Sequence, residues 1–382
     1  MDDILFYDLS NDGHHYNYNS VIMKHMKKEG TSKRICYYTE TNDPHIIREL
    51  KDEGIILRNI TLPPREGIMS VWSRTVILFH MLRFARKNGY RKIHLLFMDS
   101  SIVSLLLLLP CLFGFKITGT LHWYPTRKWK ERAFYILLQL KMIDRIVVHG
   151  ELTKKKIVAR LGAARSRQVV TIYFPSFHHH DVAGDENQEV NQIKQELVAY
   201  KRPYFLCFGG LRYDKGIDLL LEAASQLKDD EFTLIVAGSE DYFNKEDIRR
   251  FIQQYGLSGK VFYDLKYISS EAANFYFQTC DSVVLPYRSL YSAQSGPLIE
   301  GAARNKLIIG PNHGEVGFTI QHFQLGLTFE TDHTDDLARK LHEAIDRFNG
   351  NGADERDLLN EYASMLTQEK FGDHYDQFLH IG

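Results

Sequence analysis

Cysteine is scarce and unpaired in this 382-residue chain: Cys36, Cys111, Cys207 and Cys280 stand far apart, with no CxxC spacing. Four isolated thiols make neither a plausible zinc site nor an oxidised scaffold, so a reducing cytoplasm is expected. Long apolar runs are missing too. The strongest, residues 102–115, is broken by Pro110 and Gly114 and is too short to span a bilayer, which points to a buried helix. The chain opens directly on Asp2-Asp3-Ile4-Leu5-Phe6-Tyr7, an apparent strand, with no basic segment ahead of an apolar one, so no signal peptide is expected. Neither GxxxxGK(S/T) nor GxGxxG occurs, which removes the P-loop and dinucleotide fingerprints and disfavours a dehydrogenase. No recognised nucleic-acid module is present, and no nucleic-acid partner is expected.

What remains is ordinary globular material, 44% apolar and 25% charged, in a chain longer than one core usually supports. Two domains follow as the expectation. The net charge of -1 conceals a division. Residues 1–180 hold 28 Lys and Arg against 15 Asp and Glu, and the remainder holds 19 against 33. Basic residues gather at Arg83, Arg86, Lys87, Arg91 and Lys92, and again at Arg127, Lys128, Lys130 and Arg132. Two readings stay open. The halves are solvated faces that attract each other, or the basic half attracts an anionic acceptor or an anionic membrane surface.

Short apolar strands alternate with helical stretches along the whole length. Residues 4–10, 34–38, 93–98, 117–121 and 145–149 read as strands, with a helix over 18–28 that Gly30 is placed to end. After a polar linker within 181–199, the alternation resumes with strands at 204–208, 232–237, 261–263, 282–285 and 307–309. Helices are expected at 216–228, 244–255, 270–279 and 295–304, and the end, about 356–379, reads as helical. Such alternation implies mostly parallel sheets covered on both faces, with ligands at the carboxyl ends of the strands. The expected domains are 1–180 and 190–358, with a C-terminal helix at about 360–382 packing back on the first.

The most informative stretch is Phe208-Gly209-Gly210-Leu211-Arg212-Tyr213-Asp214-Lys215-Gly216, where a strand meets a small-residue turn and then a helix. Glycines let backbone amides approach an anion, and a helix N-terminus favours negative charge. Arg212 offers paired donors and Lys215 a mobile point charge, which suits a diphosphate. A plain structural turn is the competing reading. A second cluster runs from Leu285-Pro286-Tyr287-Arg288 to a helix start at Ser295-Gly296, with Glu300 placed to accept hydrogen bonds from a ribose diol. Its competing reading is a capped helix with a surface glutamate. A third loop, Gly310 to Glu315, follows the next strand on the same side.

Together these motifs resemble the retaining glycosyltransferases of family 4, polysaccharide-assembly type, over about residues 204–330. The resemblance implies an α/β GT-B fold: two Rossmann-like doubly wound parallel-sheet domains facing across a cleft. It makes Arg212 and Lys215 diphosphate ligands and catalytic groups, beside Gly209, Gly210 and Tyr287. It gives Ser295 and Gly296 to the phosphates, Glu300 to the ribose, and Gly13, beside His14 and His15, to the loop that closes over the donor. His122 matches the histidine lining the sugar site, and His149 could line the cleft. One departure stands out: Ser292 occupies the place of the family's first paired glutamate. The implied reaction moves a sugar from a nucleotide diphosphate, UDP by family usage, to a hydroxyl of a glycan or lipid-diphosphate-linked acceptor, with retention. No metal and no other cofactor is expected, and no DxD stands at a strand end. The segments 122–125 and 127–130, mixing aromatic and basic residues, fit either a lipid-diphosphate or membrane face, or simply the start of an amphipathic helix. The expected location is cytoplasmic, peripheral at the inner face of the membrane. A non-catalytic GT-B scaffold that binds a nucleotide or glycan is the alternative.

Overall fold

The computed structural model describes residues 3–9, 14–28, 34–61, 68–177, 187–227, 229–291, 293–351 and 356–380. The chain divides into two compact units, Met1–Tyr173 with Gln368–Gly382 (unit 1) and Phe174–Thr367 (unit 2).

Among the described residues of unit 1, seven strands form one parallel sheet. They are β1 (Ile4–Tyr7), β2 (Ile35–Thr39), β3 (Ile56–Asn59), β4 (Lys92–Leu95), β5 (Lys116–Leu121), β6 (Arg145–Val148) and β7 (Val169–Thr171). Their order is β3-β2-β1-β4-β5-β6-β7, reversing between β1 and β4. The crossovers carry α1 (His14–Lys28), α2 (Pro44–Asp52), α3 (Ile68–Lys87), α4 (Ile102–Leu107), α5 (Lys128–Gln139) and α6 (Glu151–Leu161). Right-handed crossovers place α3, α4 and α5 on one face of the sheet and α1 and α2 on the other. Strands β1 and β2 are buried end to end, as a sheet covered on both faces requires. At the edge, β3 is largely exposed, and Arg58 and Asn59 blunt it.

The helix Gln368–His380 closes unit 1 by packing on α1. Gly372 permits the close approach, since a Cβ there would lie 2.3 Å from the His25 ring. Tyr375 then reaches Thr120 Oγ1 at 2.7 Å and also bonds the Tyr18 hydroxyl.

Unit 2 repeats the plan with a six-stranded parallel sheet, again among the described residues. A helix α7 (Gln188–Leu197) leads into β8 (Tyr204–Phe208), α8 (Ile217–Ala224), β9 (Thr233–Ala237), α9 (Lys245–Tyr255) and β10 (Val261–Asp264). Then come α10 (Ser270–Thr279), β11 (Ser282–Val284), α11 (Gly296–Ala303), β12 (Leu307–Pro311), α12 (Gly314–His322), β13 (Gly326–Phe329), α13 (Thr334–Asp346) and α14 (Arg356–Met365). The order β10-β9-β8-β11-β12-β13 reverses between β8 and β11. That reversal is where open α/β sheets hold their ligands.

Three expectations need correction. The run 102–115 is not one buried helix: α4 ends at Leu107, Leu109–Leu112 is a tight 3-10 turn around Pro110, and Leu107 and Phe113 are exposed. Proline has no N–H to continue the α ladder. The strand expected over 93–98 stops at Leu95, because Met98–Ser100 turns to bring Asp99 inward. The helical end expected over 356–379, with 360–382 packing back on the first domain, is two helices: α14 packs on α11 in unit 2, and Gln368–His380 belongs to unit 1. The stop expected at Gly30 lies outside the described residues.

Candidate functional site

In unit 2 the chain leaves β8 through Gly209, whose φ of +107° is a conformation that favours glycine. A Cβ on Gly209 would also sit 2.4 Å from Lys215 Nζ, so the lysine lies folded over that turn. Arg212 opens a 3-10 turn, Tyr213–Lys215, and Gly216 follows in the left-handed region at φ +64°. Gly216 is doubly required, because its Cβ would meet Pro286 O at 2.0 Å. The turn after β8 thereby presses directly on the loop after β11. Arg288 stitches the two together: its backbone N–H donates to Asp214 O at 3.0 Å, and its guanidinium forks onto Asp218 at 2.6 and 2.9 Å.

Lys215 carries the electrostatic weight of this site. Its ammonium is partly buried, and burial depresses its pKa. Among the described residues its hydrogen-bond acceptor is the Phe208 carbonyl, at a long 3.5 Å, and no carboxylate pairs with it. The Tyr287 ring lies 5.9 Å away. A desolvated cation facing an aromatic ring, outside any ion pair among the described residues, is costly unless an anion joins it. Arg212 differs. It is exposed and forked onto Asp214 at 2.9 and 2.6 Å, with its guanidinium 6.0 Å from the Tyr291 ring.

The opposite wall is Tyr287, its ring tilted against Tyr291 with centroids 4.2 Å apart and its hydroxyl hydrogen-bonded to Ser295 Oγ at 3.0 Å. Ser295 is the N-cap of α11 and accepts from Leu298 N–H at 3.2 Å. Pro297 has no N–H, so among the described residues Gly296 supplies the open amide of that helix start. A Cβ at Gly296 would meet nothing within 4 Å, so space lies in front of it. The structure therefore brings Gly209, Gly210, Arg212, Lys215, Tyr287, Ser295 and Gly296 to one strand switch. Tyr291 joins them, and sequence reasoning missed it.

Glu300 is placed otherwise. It is buried, and both carboxylate oxygens are occupied: Oε1 accepts from Phe177 N–H at 2.8 Å, and Oε2 from Ser176 Oγ at 2.6 Å and Arg304 at 2.8 Å. Arg304 in turn donates to Asn274 Oδ1 at 2.7 Å. It is not a surface glutamate. A ribose diol would have to displace the Ser176 hydroxyl or the Phe177 amide. Ser292 and Gly13 lie outside the described residues.

In unit 1, His122 follows β5 and stacks on Phe97, ring centroids 4.5 Å apart, with the His149 ring at 4.9 Å. Burial, then the neighbouring His149, holds its pKa well below the usual imidazole value, so it is neutral at physiological pH. Its Nε2 stands 3.0 Å from the Leu96 carbonyl, which can only accept. Nε2 therefore carries the proton and Nδ1 is left as an acceptor, without a partner among the described residues. His149 is satisfied internally, donating from Nδ1 to Ile172 O at 2.7 Å and accepting from Tyr18 at 3.2 Å. It is a structural histidine. His15 contacts Asp8 at 3.4 Å and packs on Phe97 at 4.8 Å, near the strand reversal of this sheet.

Asp99 escaped sequence reading altogether. Its carboxylate accepts both the His122 and Trp123 backbone N–H groups, at 3.0 and 2.7 Å, and burial lifts its pKa to about 6. Among the described residues no group of three or more metal-ligating side chains occurs.

Two doubly wound parallel sheets in one chain, each with a strand reversal, define the GT-B fold. The comparisons with known proteins then narrow the class. Residues 189–363, within unit 2, match the family model of glycosyl transferases group 1. That description does not carry a family 4 assignment. A curated relative, O-antigen chain mannosyltransferase C of Escherichia coli, is 30% identical over 146 residues, 38% of this chain, and the match spans 36% of that protein. Among solved structures, a glycosyltransferase from Rickettsia africae ESF-5 superposes with a TM-score of 0.73 at 16% identity, covering 100% of this chain and 99% of the other. HepE of Anabaena in complex with UDP gives 0.73 at 15% identity over 99% of each chain. The group 1 match on this fold supports an activity of glycosyltransferase type.

Proposed function

We propose that the protein is a retaining glycosyltransferase of family 4, polysaccharide-assembly type, working on a UDP-sugar. It moves the sugar to a hydroxyl of a glycan or lipid-diphosphate-linked acceptor. One observation carries this reading: Lys215, partly buried at the strand reversal of unit 2, makes no ion pair among the described residues. An anionic diphosphate supplies the missing partner.

The bond from the anomeric carbon to the diphosphate oxygen breaks as the acceptor oxygen bonds to the same face of that carbon. The departing diphosphate takes the acceptor's proton, so sugar, electrons and proton balance with UDP and a glycoside as products. Negative charge grows on the leaving group, where Lys215 and the open amide of Gly296 stabilise it more than in the ground state. Arg212 contributes after releasing Asp214. His122, neutral, accepts a sugar hydroxyl through Nδ1 and acts in orientation. Glu300 takes the ribose diol once the Ser176 and Phe177 donors withdraw. Residues 1–180 and 190–358 are the acceptor-side and donor-side domains in this reading, and Gly13 belongs to the donor loop. The enzyme works without a metal, in the cytoplasm, peripheral to the inner face of the membrane.

The occupied state of Glu300 favours a second reading, a GT-B subunit that binds a nucleotide or glycan without turnover. A thermal-shift series with UDP, GDP and ADP and their sugars separates the two. UDP is expected to raise the melting temperature of the native chain. Lys215→Met should abolish that rise while leaving the unliganded melting temperature equal or higher, because a desolvated charge is gone. No shift with any nucleotide rejects the transferase. A specific shift with no sugar released or transferred across acceptors selects the second reading.

A further inference from the structure

The anion seat of unit 2 is assembled from two loops. Lys215 stands on the turn after β8, and Tyr287 with the start of α11 on the segment after β11. Among the described residues the hydrogen bond of the Lys215 ammonium is the long one to the Phe208 carbonyl, so the place of that charge follows from the backbone that carries it. That backbone is a 3-10 turn of three residues, Tyr213–Lys215. Such a turn is a poor frame unless its neighbours hold it.

One residue holds it. Arg288 donates its backbone N–H to Asp214 O at 3.0 Å and its Nη1 to Tyr213 O at 2.9 Å, so two successive carbonyls of the turn depend on it. The same guanidinium forks onto Asp218, in the first turn of α8, and its central carbon lies 4.1 Å from the centre of the Tyr213 ring. The Arg288 and Asp218 side chains are 11% and 24% exposed, which shields the fork from water. Arg212 makes a similar fork onto Asp214 but is 49% exposed, and an exposed pair of that kind opens readily.

Arginine suits this place better than any other cation. Its planar fork gives parallel donors to a carboxylate, a further donor to a carbonyl and a flat face to a ring, whereas lysine is a point charge on a flexible stem. Its position in the chain matters as much. Arg288 directly follows Tyr287, the wall of the seat, and Pro286 O on the other side of that tyrosine leaves no room for a Cβ on Gly216. A displacement of Arg288 therefore moves Lys215 relative to Tyr287 and the Gly296 amide.

We propose that Arg288 is a positioning residue: through the Tyr213 and Asp214 carbonyls, and anchored by Asp218, it sets where the Lys215 ammonium meets a diphosphate. This rests on the diphosphate reading of Lys215 and adds the group that acts through it. Charge on the diphosphate is greater once the sugar has left. A misplaced Lys215 therefore penalises turnover and the binding of free UDP more than the binding of the intact donor.

The test is a double-mutant cycle on the full chain: native, Arg288→Lys, Lys215→Met and the two combined. Each is titrated calorimetrically with UDP and assayed with the UDP-sugar that gives the largest thermal shift. Arg288→Lys should weaken UDP about tenfold and lower kcat about 10²-fold, the scale of a misplaced group, while the donor KM changes by about threefold at most. Beside Lys215→Met, Arg288→Lys should add less than about twofold to either loss, because the ammonium through which it acts is gone. Asp218→Asn, which keeps one acceptor for the fork, gives a milder second arm: a smaller loss that again disappears beside Lys215→Met. A residue that merely holds the fold would lower the melting temperature, leave the UDP affinity of the folded chain unchanged, and cost the same factor in both backgrounds. Losses that multiply, or UDP affinity unmoved by both Arg288→Lys and Asp218→Asn, overturn the assignment of Arg288 and leave that of Lys215 standing. UDP affinity unmoved by Lys215→Met overturns the diphosphate reading, and this one with it.

Discussion

Units 1 and 2 share one topology and build opposite kinds of site at the ends of their sheets. Unit 2 sets glycines and a cation around open space: among the described residues Lys215 makes no ion pair and a Cβ at Gly296 would meet nothing within 4 Å. Unit 1 packs neutral imidazoles among rings, with His122 held between Phe97 and His149 and tied down by Asp99. The same fold thus makes an anion seat by leaving a charge unsatisfied, and a shaped wall by satisfying nearly everything. Strand order decides where a site falls, and side-chain desolvation decides what it can hold.

The largest expected effect breaks the contrast from the unit 2 side. Gly209→Ala puts a methyl where Lys215 Nζ now sits and forces a residue at φ +107°. We expect about a 10³-fold fall in kcat/KM, the scale of losing a main charge-stabilising group, measured by steady-state kinetics on the best donor. An enzyme that tolerates this change does not use Lys215 as described.

Acid should discriminate between the units next. Burial holds His94 down to about 3 and His149 to about 4, and holds His122 low as well. Unfolded imidazoles protonate near 6.5, so the stability these groups provide is complete above that pH and drains as pH falls toward their folded values. Asp99, raised to about 6, works against them: folded, it holds its proton more tightly between about pH 4 and 6. Three histidines outweigh one aspartate. Urea unfolding at pH 5 should show stability lower by roughly 3 kcal/mol than at pH 7, and His94→Gln should reduce the difference in part, leaving the share of His122 and His149. The three tryptophans make fluorescence a probe of unit 1 in that experiment.

The smallest expected effect is the most specific. Asp99→Ala removes the anchor of the His122 and Trp123 amides and should lower kcat about tenfold, within the range for a group that positions others. UDP affinity should not change, because the nucleotide contacts proposed lie in unit 2. Asp99→Asn keeps one acceptor and should recover part of the loss. A change in UDP affinity equal to that in kcat would erase the division of labour between the two units.

Much of this was readable locally. The bounds of β8 and α10 agree with sequence reading, as does the α11 start at Ser295-Gly296, because strand, turn and cap signals sit within a few residues of one another. The place of Arg212 and Lys215 on the turn after β8 was legible for that reason. The edge strand β3 was not, since its exposed Arg58 and Asn59 carry no apolar pattern. Partners far apart in sequence were invisible: Asp99 meets His122 across 23 positions and Ser176 meets Glu300 across 124. Only Arg304, one helical turn on, hints in the sequence that Glu300 is already occupied.

The helix Gln368–His380 finishes a unit whose other elements precede residue 174. On the ribosome, which releases the chain from its N-terminus, the helix that completes the first unit therefore follows the whole of the second. Until Tyr375 emerges, Thr120 and Tyr18 lack the hydroxyl they bond in the finished protein. The half begun first is the last to be complete.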